Sequence, residues 1–451
     1  MRFIRYISVS TNSNVLRKPS FDFKSIVQLQ DEYLNSCSRR IVNEQTLRNA
    51  SSILDRYNDF VKLDVQLRNL KNERSKLNSQ VKNLGPNQYL LEELGLLKVR
   101  IKNLSSHYNE TQESLYQMAE SLPNLIHPSV SDKEEIVSTI NCSLNDIEEL
   151  STRKPDPTFD HKSILEDLNL ANFQTASRVS GTSFYYLLND GALLEQALIQ
   201  YALKFARQNG YEMVIPPSVV KNEVTYACGF KPRDQNNEQQ VYELANSNQC
   251  LNGTAEIPLA ALWIDAEFSA QDLPKRQCAI ARSFRAEAGA HGKDTKGLYR
   301  VHEFSKVELF QWTENDVNTS SKVLKDILNL QIGFFTSLGL KCKVMNMPSN
   351  DLGSPAYQKF DIECFMPGRG KFGELSSTSN CLDYQARRLN IKYRNSTTNK
   401  LQFVHTLNGT MCAVPRTIVA IIENFYDPLS KTIEIPAPLR SFMDDKERIS
   451  V

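Results

Sequence analysis

A regular spacing of apolar residues runs through two long segments near the beginning of the chain. In residues 60–84 the apolar positions alternate at three and four residues and are interrupted only by Arg74. They are Phe60, Leu63, Leu67, Leu70, Leu77, Val81 and Leu84. The second segment repeats the spacing at Leu91, Leu94, Leu97, Ile101, Leu104, Tyr108, Thr111, Leu115, Met118 and Leu122. A heptad repeat places such residues on one helix face, and Gly85-Pro86-Asn87 stops a helix. The pattern therefore predicts an antiparallel helical hairpin about 40–50 Å long.

The two predicted helices differ in net charge. Residues 60–84 carry six basic and two acidic side chains, a net of +4, whereas residues 91–122 carry three basic and five acidic, a net of −2. The basic residues of the first helix are Lys62, Arg68, Lys71, Arg74, Lys76 and Lys82. Solvated helix faces often show such an imbalance, and a rod with one strand suited to lying along phosphates is the alternative. The charge of the whole chain, +1, favours neither interpretation.

Composition excludes several classes of protein. The chain has 451 residues, of which 41% are hydrophobic and 23% charged, as is typical of globular proteins long enough for more than one domain. No uncharged apolar run is long enough to span a membrane, so we expect no membrane partner. The nine cysteines form no CxxC pair, which indicates free thiols in a reducing compartment and argues against a structural metal.

The first twenty residues are basic and contain no acid. They include Arg2, Arg5, Arg17 and Lys18, are rich in Ser and Asn, and precede the first acidic residue, Asp22. This composition is typical of a mitochondrial transit peptide, while a merely disordered basic terminus is the alternative.

Proline-rich breaks divide the rest of the chain. Leu122-Pro123-Asn124 ends the second helical pattern, and residues 129–160 are polar with Pro155 and Pro157. The predicted organisation is a transit peptide at 1–20, a helical arm domain at 21–130, a linker at 131–160 and a catalytic domain at 161–451.

The second half of the chain mixes strands and helices without βαβ regularity. Helices are predicted at 191–210 and 417–425, and strands at 278–284 and 301–310. We therefore predict an α+β fold with a mainly antiparallel sheet.

Strand alternation places Arg285 and Glu287 on one face of the first strand, and places His302, Phe304, Lys306 and Glu308 on one face of the second. An arginine, an aromatic ring and a carboxylate suit a nucleotide and an amino acid, although surface ion pairs explain the same pattern. The isolated histidines His127, His161 and His405 are predicted to be structural.

Several ordered segments then resemble one family. The run from Arg282 to Gly289, followed by GKDTKGLYRVHEFSKVELF, resembles motif 2 of the seryl-tRNA synthetases, which are class II aminoacyl-tRNA synthetases. Further segments that resemble the family are Gly210-Tyr211…Pro216-Pro217, Asn252-Gly253-Thr254-Ala255-Glu256, Gly373-Glu374-Leu375-Ser376-Ser377, Gln385-Ala386-Arg387-Arg388 and Asn408-Gly409-Thr410…Pro415-Arg416-Thr417. The resemblance extends over residues 24 to 442. It implies a class II antiparallel sheet flanked by helices, preceded by a coiled-coil arm, in a homodimeric enzyme.

The resemblance also implies site residues. Arg285 would neutralise the α-phosphate of ATP, Phe304 would stack on adenine, and Arg416 would close over the ring and reach the phosphates. The implied ATP-binding residues are Arg285, Ala286, Glu287, Val301, Phe304, Glu374, Leu375, Ser376, Ser377 and Arg416; those that carry the chemistry are Arg285, Glu287 and Arg416. The implied serine-binding residues are Thr254, Ala255, Glu256, Glu308 and Thr410. Glu374 and Ser377 match the family's Mg²⁺-binding positions.

The implied partners are tRNA(Ser), L-serine, ATP and a second copy of the chain. The arm would contact the tRNA through Lys62, Arg68, Lys71, Lys76 and Lys82, and the motif 2 loop would contact the acceptor end through His291, Lys293, Lys296 and Arg300. With the basic N-terminus, these features predict a seryl-tRNA synthetase of the mitochondrial matrix. Two alternatives are a catalytically silent synthetase-like protein that binds RNA or a partner, and a coiled-coil scaffold.

Overall fold

The computed structural model describes residues 5–6, 16–85, 87–232, 239–287 and 296–450. Its helices are α1 (Phe23–Gln28), α2 (Gln30–Arg39), α3 (Glu44–Leu84), α4 (Gln88–Ser121), α5 (Leu144–Ser151), α6 (His161–Asp167), α7 (Phe173–Ser180), α8 (Asn189–Gln208), α9 (Asn222–Ala227), α10 (Glu256–Ala261), α11 (Val317–Ser337), α12 (Tyr384–Leu389), α13 (Val414–Phe425) and α14 (Ala437–Arg440). Its strands are β1 (Arg5–Tyr6), β2 (Glu135–Ile140), β3 (Ala171–Asn172), β4 (Tyr186–Leu187), β5 (Glu212–Val214), β6 (Val219–Lys221), β7 (Gln249–Leu251), β8 (Ala266–Ser269), β9 (Lys275–Phe284), β10 (Glu303–Thr313), β11 (Cys342–Asn346), β12 (Gln358–Met366), β13 (Lys371–Asn380), β14 (Lys392–Arg394), β15 (Leu401–Phe403), β16 (His405–Ala413), β17 (Tyr426–Asp427), β18 (Thr432–Glu434) and β19 (Arg448–Ile449). The chain divides into two compact units, residues 20–125 and residues 1–19 with 126–451.

The first unit is built on the hairpin of α3 and α4. Leu67, Leu97 and Ile101 are buried between the two helices, as the heptad spacing predicts. Gly85 has a φ of +82°, and Asn87 caps α4 by accepting a hydrogen bond from the backbone N–H of Tyr89. Helix α3 begins at Glu44, well before the predicted start at Phe60, because Asn43 caps the helix there. The added turns carry Ala50 and Ile53, which pack with α1, α2 and the end of α4.

The second unit is built on an eight-stranded sheet with the order β2-β11-β12-β13-β16-β10-β9-β5. All neighbours are antiparallel except β5 and β9. On one face, α8, α11 and α13 cover an apolar core that includes Val307 and Leu309. Alternation turns Phe310 and Trp312 to the opposite face, where α10 and α12 help to form a second core. The polar residues Lys306 and Glu308 of β10 lie on this second face.

The elements predicted for this unit are present with shifted ends. The two predicted strands correspond to β9 and β10, and the two predicted helices to α8 and α13. The predicted linker is wrong, because residues 131–160 contain β2, the edge strand that pairs with β11, and α5, whose Ile147 and Leu150 are buried. The sequence of β2 alternates weakly because most of its side chains are exposed.

Part of the first twenty residues packs on the second unit. The backbone of β1 pairs with β8, Leu16 lies against the second apolar core, and Arg17 Nε lies 3.3 Å from Asp265 Oδ1. No helix within the described residues is both long and apolar enough to cross a membrane. All nine cysteines are free; eight are buried and Cys142 is half-buried.

Candidate active site

A solvent-open cleft of about 470 Å³ lies on the second face of the main sheet. Strands β10, β13 and β16 form its floor, and the start of α13 with the two ends of the β9–β10 connection forms its walls. Its lining residues are Arg285, Glu287, Leu298, Tyr299, Arg300, Val301, Phe304, Lys306, Glu374, Thr410, Ala413, Pro415 and Arg416. Seven residues that the sequence predicts for the site are therefore gathered in one cleft.

Arg416 and Glu374 form an ion pair across the cleft. Arg416 lies in the first turn of α13, where Pro415, the second residue of the helix, loses no helical hydrogen bond. Its Nη1 donates to Glu374 Oε2 and to the Glu374 carbonyl, both at 3.1 Å. Burial alone would raise the pKa of Glu374, but Arg416, Lys359, Arg285 and Lys306 together lower it below its usual value. The cleft therefore keeps an ionised carboxylate among several cations.

Arg285 lies over the ring of Phe304, with 5.4 Å between the guanidinium carbon and the ring centroid. Its backbone N–H donates to the His302 carbonyl at 2.9 Å, although β9 itself ends at Phe284. Simple alternation does not extend beyond that point, because Glu287 has a left-handed φ of +46°. Glu287 still lines the cleft, where its carboxylate lies 3.7 Å from Arg300. The backbone N–H of Ala286 donates to the Gln240 carbonyl at 3.1 Å.

A second group of predicted residues lies beside the cleft. Thr254 Oγ1 donates to Glu308 Oε1 at 2.5 Å, and Lys306 forms an ion pair with the same carboxylate. Thr254 and Glu308 are buried. Thr410 faces Glu308 across the β10–β16 pairing and lines the cleft. Ala255 is fully buried in the second apolar core and does not line the cleft.

The carboxyl group of Glu256 accepts hydrogen bonds from two side-chain amides. Its Oε1 accepts from Gln385 Nε2 at 2.7 Å and from Asn408 Nδ2 at 2.8 Å. Burial and the neighbouring Glu308 raise the pKa of Glu256 to about 7. This pocket therefore contains two carboxyl groups, one of which changes charge near neutral pH.

Two predicted ATP-binding side chains point away from the cleft. Leu375 is buried in the core under α13, and the Ser376 hydroxyl donates to the Thr410 carbonyl at 2.6 Å. Ser377 lies opposite Asp361 in the β12–β13 pairing, and its hydroxyl contacts that carboxylate. One Asp361 oxygen has no hydrogen-bond partner within the described part of the chain. The register of the β12–β13 pairing shifts between Ile362 and Glu363, and this shift sets which side chains of β13 point away from the cleft. No sequence motif predicts the shift.

The structure adds residues to which the sequence interpretation gave no role. Tyr299 lies between two arginines, with its ring centroid 3.4 Å from the guanidinium carbon of Arg369 and 4.8 Å from that of Arg416. Its carbonyl also accepts from Arg416 Nε at 3.3 Å. Lys359 lies 3.0 Å from Asp361. The only sequence signal for a role of Tyr299 is its position at the end of the motif 2 loop.

The residues predicted to contact tRNA on α3 are all exposed. At about 100° per residue, Arg68, Lys71 and Lys82 lie on one side of the buried seam, and Lys62 and Lys76 lie on the other. Lys62 pairs with Asp59, and Arg68 pairs with Asp64.

Of the predicted loop contacts, His291 and Lys293 lie outside the described residues. Lys296 pairs with Asp160 at 3.0 Å, and Arg300 pairs with Glu287.

Comparison with known proteins agrees with this geometry. Residues 241–425 match the model of the tRNA synthetase class II core domain (G, H, P, S and T). The mitochondrial serine--tRNA ligase of Saccharomyces cerevisiae is 45% identical over 452 residues, which cover 99% of both chains. The chain belongs to the seryl-tRNA synthetase family. The mitochondrial serine--tRNA ligase of Schizosaccharomyces pombe is 37% identical and covers 95% of this chain and 90% of its own length.

Solved structures of the seryl-tRNA synthetase family share the fold. A crystal structure of seryl-tRNA synthetase from Pyrococcus horikoshii complexed with ATP superposes with a TM-score of 0.86 at 32% identity, over 96% of this chain and 99% of that one. The predicted family and the predicted fold class, a class II antiparallel sheet preceded by a helical hairpin, are thereby confirmed.

Proposed function

We propose that the cleft activates L-serine with ATP and that the enzyme then transfers the seryl group to tRNA(Ser). The observation that carries this proposal is the convergence of Arg285, Glu374 and Arg416 in one cleft, beside the buried pair of Thr254 and Glu308. The relatives of high identity are serine--tRNA ligases, and nothing favours a silent, RNA-binding paralogue.

In the first step, the serine carboxylate attacks the α-phosphorus of ATP, and pyrophosphate leaves. Arg285 would neutralise the charge that develops on the α-phosphate, while Arg416 would hold the phosphate chain. Phe304 would stack on adenine. The chain contributes positioning and charge, so no protein nucleophile is required.

In the second step, a hydroxyl of the terminal adenosine attacks the carbonyl of the seryl-adenylate, and AMP leaves. Lys296 and Arg300, at the return of the loop, would contact the acceptor end by charge.

The buried carboxylate of Glu308 gives the pocket a basis for choosing serine. A hydroxyl on the substrate gives this acceptor a donor, whereas alanine would leave it short of one. The Thr254–Glu308 hydrogen bond and the Lys306 ion pair hold the carboxylate in place. The same carboxylate suits the ammonium group of the amino acid.

We propose Mg²⁺ as the metal that accompanies ATP. No three His, Cys, Asp or Glu side chains of the described residues form a metal cluster, so the protein would supply only part of the coordination. Glu374 and Ser377 offer a carboxylate and a hydroxyl, oxygen ligands that fit Mg²⁺ when phosphate oxygens and water complete the shell. The bound ion would offset negative charge on the phosphates.

We propose a homodimer located in the mitochondrial matrix. β5 is an edge strand of the main sheet, and Met213 within it and Ile215 just after it are 45% and 77% exposed. An exposed apolar edge of this kind is suited to a second copy of the chain. Light scattering of the purified protein should give twice the mass of one chain, and Ile215→Asp should reduce that mass.

Serine-dependent exchange of pyrophosphate into ATP tests the proposed activity. The purified protein should catalyse this exchange with serine and not with alanine or threonine. A folded protein that exchanges with none of them would contradict the enzyme assignment and support the silent paralogue.

A further inference from the structure

A buried histidine outside the cleft hydrogen-bonds to helix α13 and to the return of the β9–β10 connection, both of which contribute to the cleft walls. His161, at the start of α6, is 2% exposed, and its Nδ1 lies 2.6 Å from Glu423 Oε1 on α13. Its Nε2 accepts a hydrogen bond from the backbone N–H of Leu298 at 3.3 Å. Because an N–H can only donate, Nε2 must lack a proton, and Nδ1 carries the proton that it donates to Glu423.

Glu423 extends the connection to a third segment. Its second oxygen accepts from the backbone N–H of Gly368 at 2.7 Å and from that of Arg369 at 3.3 Å. These two residues form the turn between β12 and β13. The histidine and the glutamate therefore link the return of the β9–β10 connection, helix α13 and the β12–β13 turn in one buried network.

The segment before Leu298 is fitted to the histidine ring. Gly297 has a φ of +68°, and a Cβ added there would lie 2.1 Å from His161 Nε2. On the same side, Lys296 pairs with Asp160, the N-cap of α6. The chain thus passes directly over the imidazole before it enters the cleft.

The connection from His161 to the cleft runs through Tyr299. Tyr299 follows Leu298 directly. Its carbonyl lies 3.3 Å from Arg416 Nε, and its ring lies between Arg416 and Arg369. Loss of the Leu298 hydrogen bond frees the segment that carries this acceptor. Arg416 would then keep its Glu374 contacts and lose the contact that fixes the direction of its guanidinium.

We propose that His161 is a positioning residue for ATP, which acts with Glu423 by fixing residues 297–299 and, through Tyr299, Arg416. The proposal rests on the proposed function, because it assigns Arg416 to the phosphate chain. The network acts on the ATP side of the site, since within the described residues Thr254, Glu256 and Glu308 share no hydrogen bond or ion pair with His161, Glu423 or Tyr299. A histidine that served stability alone would affect both substrates equally or neither.

Two substitutions separate the two hydrogen bonds of the ring. His161→Gln can place an amide oxygen near the position of Nε2 and keep an acceptor for Leu298, whereas His161→Asn can keep the donor to Glu423 and cannot reach Leu298. In serine-dependent pyrophosphate exchange, His161→Asn should raise the KM for ATP by about tenfold, as expected for one lost hydrogen bond. His161→Gln should restore most of this loss, and the KM for serine should stay within about twofold in both variants.

His405→Asn is the matched control. This histidine is also buried, at 4% exposure, and hydrogen-bonds Ser320 away from the cleft. It should lower the melting temperature without raising the KM for ATP. If His161→Asn does not fold, Gly297→Ala tests the same contact with the imidazole intact, and should raise the KM for ATP alone.

If the KM for ATP is unchanged in His161→Asn, the inference is overturned. Where His161→Asn does not fold, an unchanged KM for ATP in Gly297→Ala overturns it. Equal increases in the KM for ATP and the KM for serine also overturn it. Wild-type protein without exchange activity would instead contradict the proposed function, so the two failures are distinguishable.

Discussion

Arg285 is the side chain whose removal should have the clearest effect on chemistry. Its guanidinium is held over Phe304 and would meet the charge that develops on the α-phosphate. We expect Arg285→Ala to lower kcat for pyrophosphate exchange by about 10³-fold, as for loss of other preorganised charge contacts. Arg394→Ala removes an equal charge from an exposed pair with Glu267 and should leave the rate unchanged. Exchange by Arg285→Ala close to the wild-type rate would show that the cleft is wrongly assigned.

Glu256 should give serine binding a pH dependence near neutrality. Its pKa of about 7 lies above the ordinary value of 4.5 because of burial and Glu308. Its ionised form would add a negative charge beside Glu308, whose carboxylate suits the serine ammonium group, so the KM for serine should rise by about tenfold between pH 8 and pH 6. Exchange assays across this range measure the effect. Glu256→Gln should have a KM that varies little with pH, and an unchanged slope in that variant would exclude Glu256 as its source.

The same carboxyl group affects stability in the opposite direction. Between pH 4.5 and about 7 the folded protein keeps a proton that an unfolded glutamate has released. Its contribution therefore favours the folded state at low pH and is lost as the pH rises through about 7. The site thus gains charge for its substrate at some expense of stability.

Motif resemblance selected Arg285, Glu374 and Arg416, which the structure places in one cleft, but it could not give the direction of every side chain. Leu375 and Ser376 lie in a matching segment, yet the shift in register between β12 and β13 directs their side chains away from the cleft. The contacts of Tyr299 with Arg369 and Arg416 join residues distant in sequence. Such contacts follow from the packing of several elements, and no local pattern contains them.

Strong periodicity made some elements predictable. The seam of α3 and α4 and the apolar helix α13 were clear because their buried faces repeat regularly. β2 was missed because an exposed edge strand lacks the alternation of a buried one. The early start of α3 was missed because residues 44–59 pack against α1 and α2, a contact that the hairpin pattern does not include.

The geometry of α3 separates the five predicted RNA-contacting residues into two groups. Arg68, Lys71 and Lys82 lie on one side of the seam, and neither Lys71 nor Lys82 forms an ion pair within the described residues. We expect the double variant Lys71→Ala, Lys82→Ala to raise the KM for tRNA by about tenfold. The change of this KM with salt concentration should become less steep, by the amount that corresponds to about two phosphate contacts. The control is Lys62→Ala with Lys76→Ala, on the other side. Aminoacylation kinetics measure both pairs, and a larger effect in the control would place the RNA on that other side.

The net charge of +1 averages parts of the molecule that differ strongly. Removal of residues 1–20 would take away four positive charges and leave −3, whereas a cut before Leu16 would remove only Arg2 and Arg5 and leave −1. An acidic chain can still bind tRNA when its positive charge is concentrated locally, here on α3 and beside the cleft. The position at which the N-terminal segment is cleaved therefore affects the catalytic unit more than it affects RNA binding.

The contacts of Leu16 and Arg17 predict where the mature chain begins. Leu16 packs on the second apolar core, and Arg17 pairs with Asp265, which Asn390 Nδ2 also holds at 2.5 Å. A cut after residue 20 would remove these contacts, so we expect the mature chain to retain both residues. Intact-mass measurement of the protein from mitochondria would locate the terminus. A recombinant chain starting at Leu16 should melt about 2–4 °C above one starting at Phe21, because half-buried apolar surface and one exposed ion pair contribute about 1–2 kcal/mol. Equal melting temperatures, with a mature terminus beyond Arg17, would show that the whole basic segment is only a targeting signal.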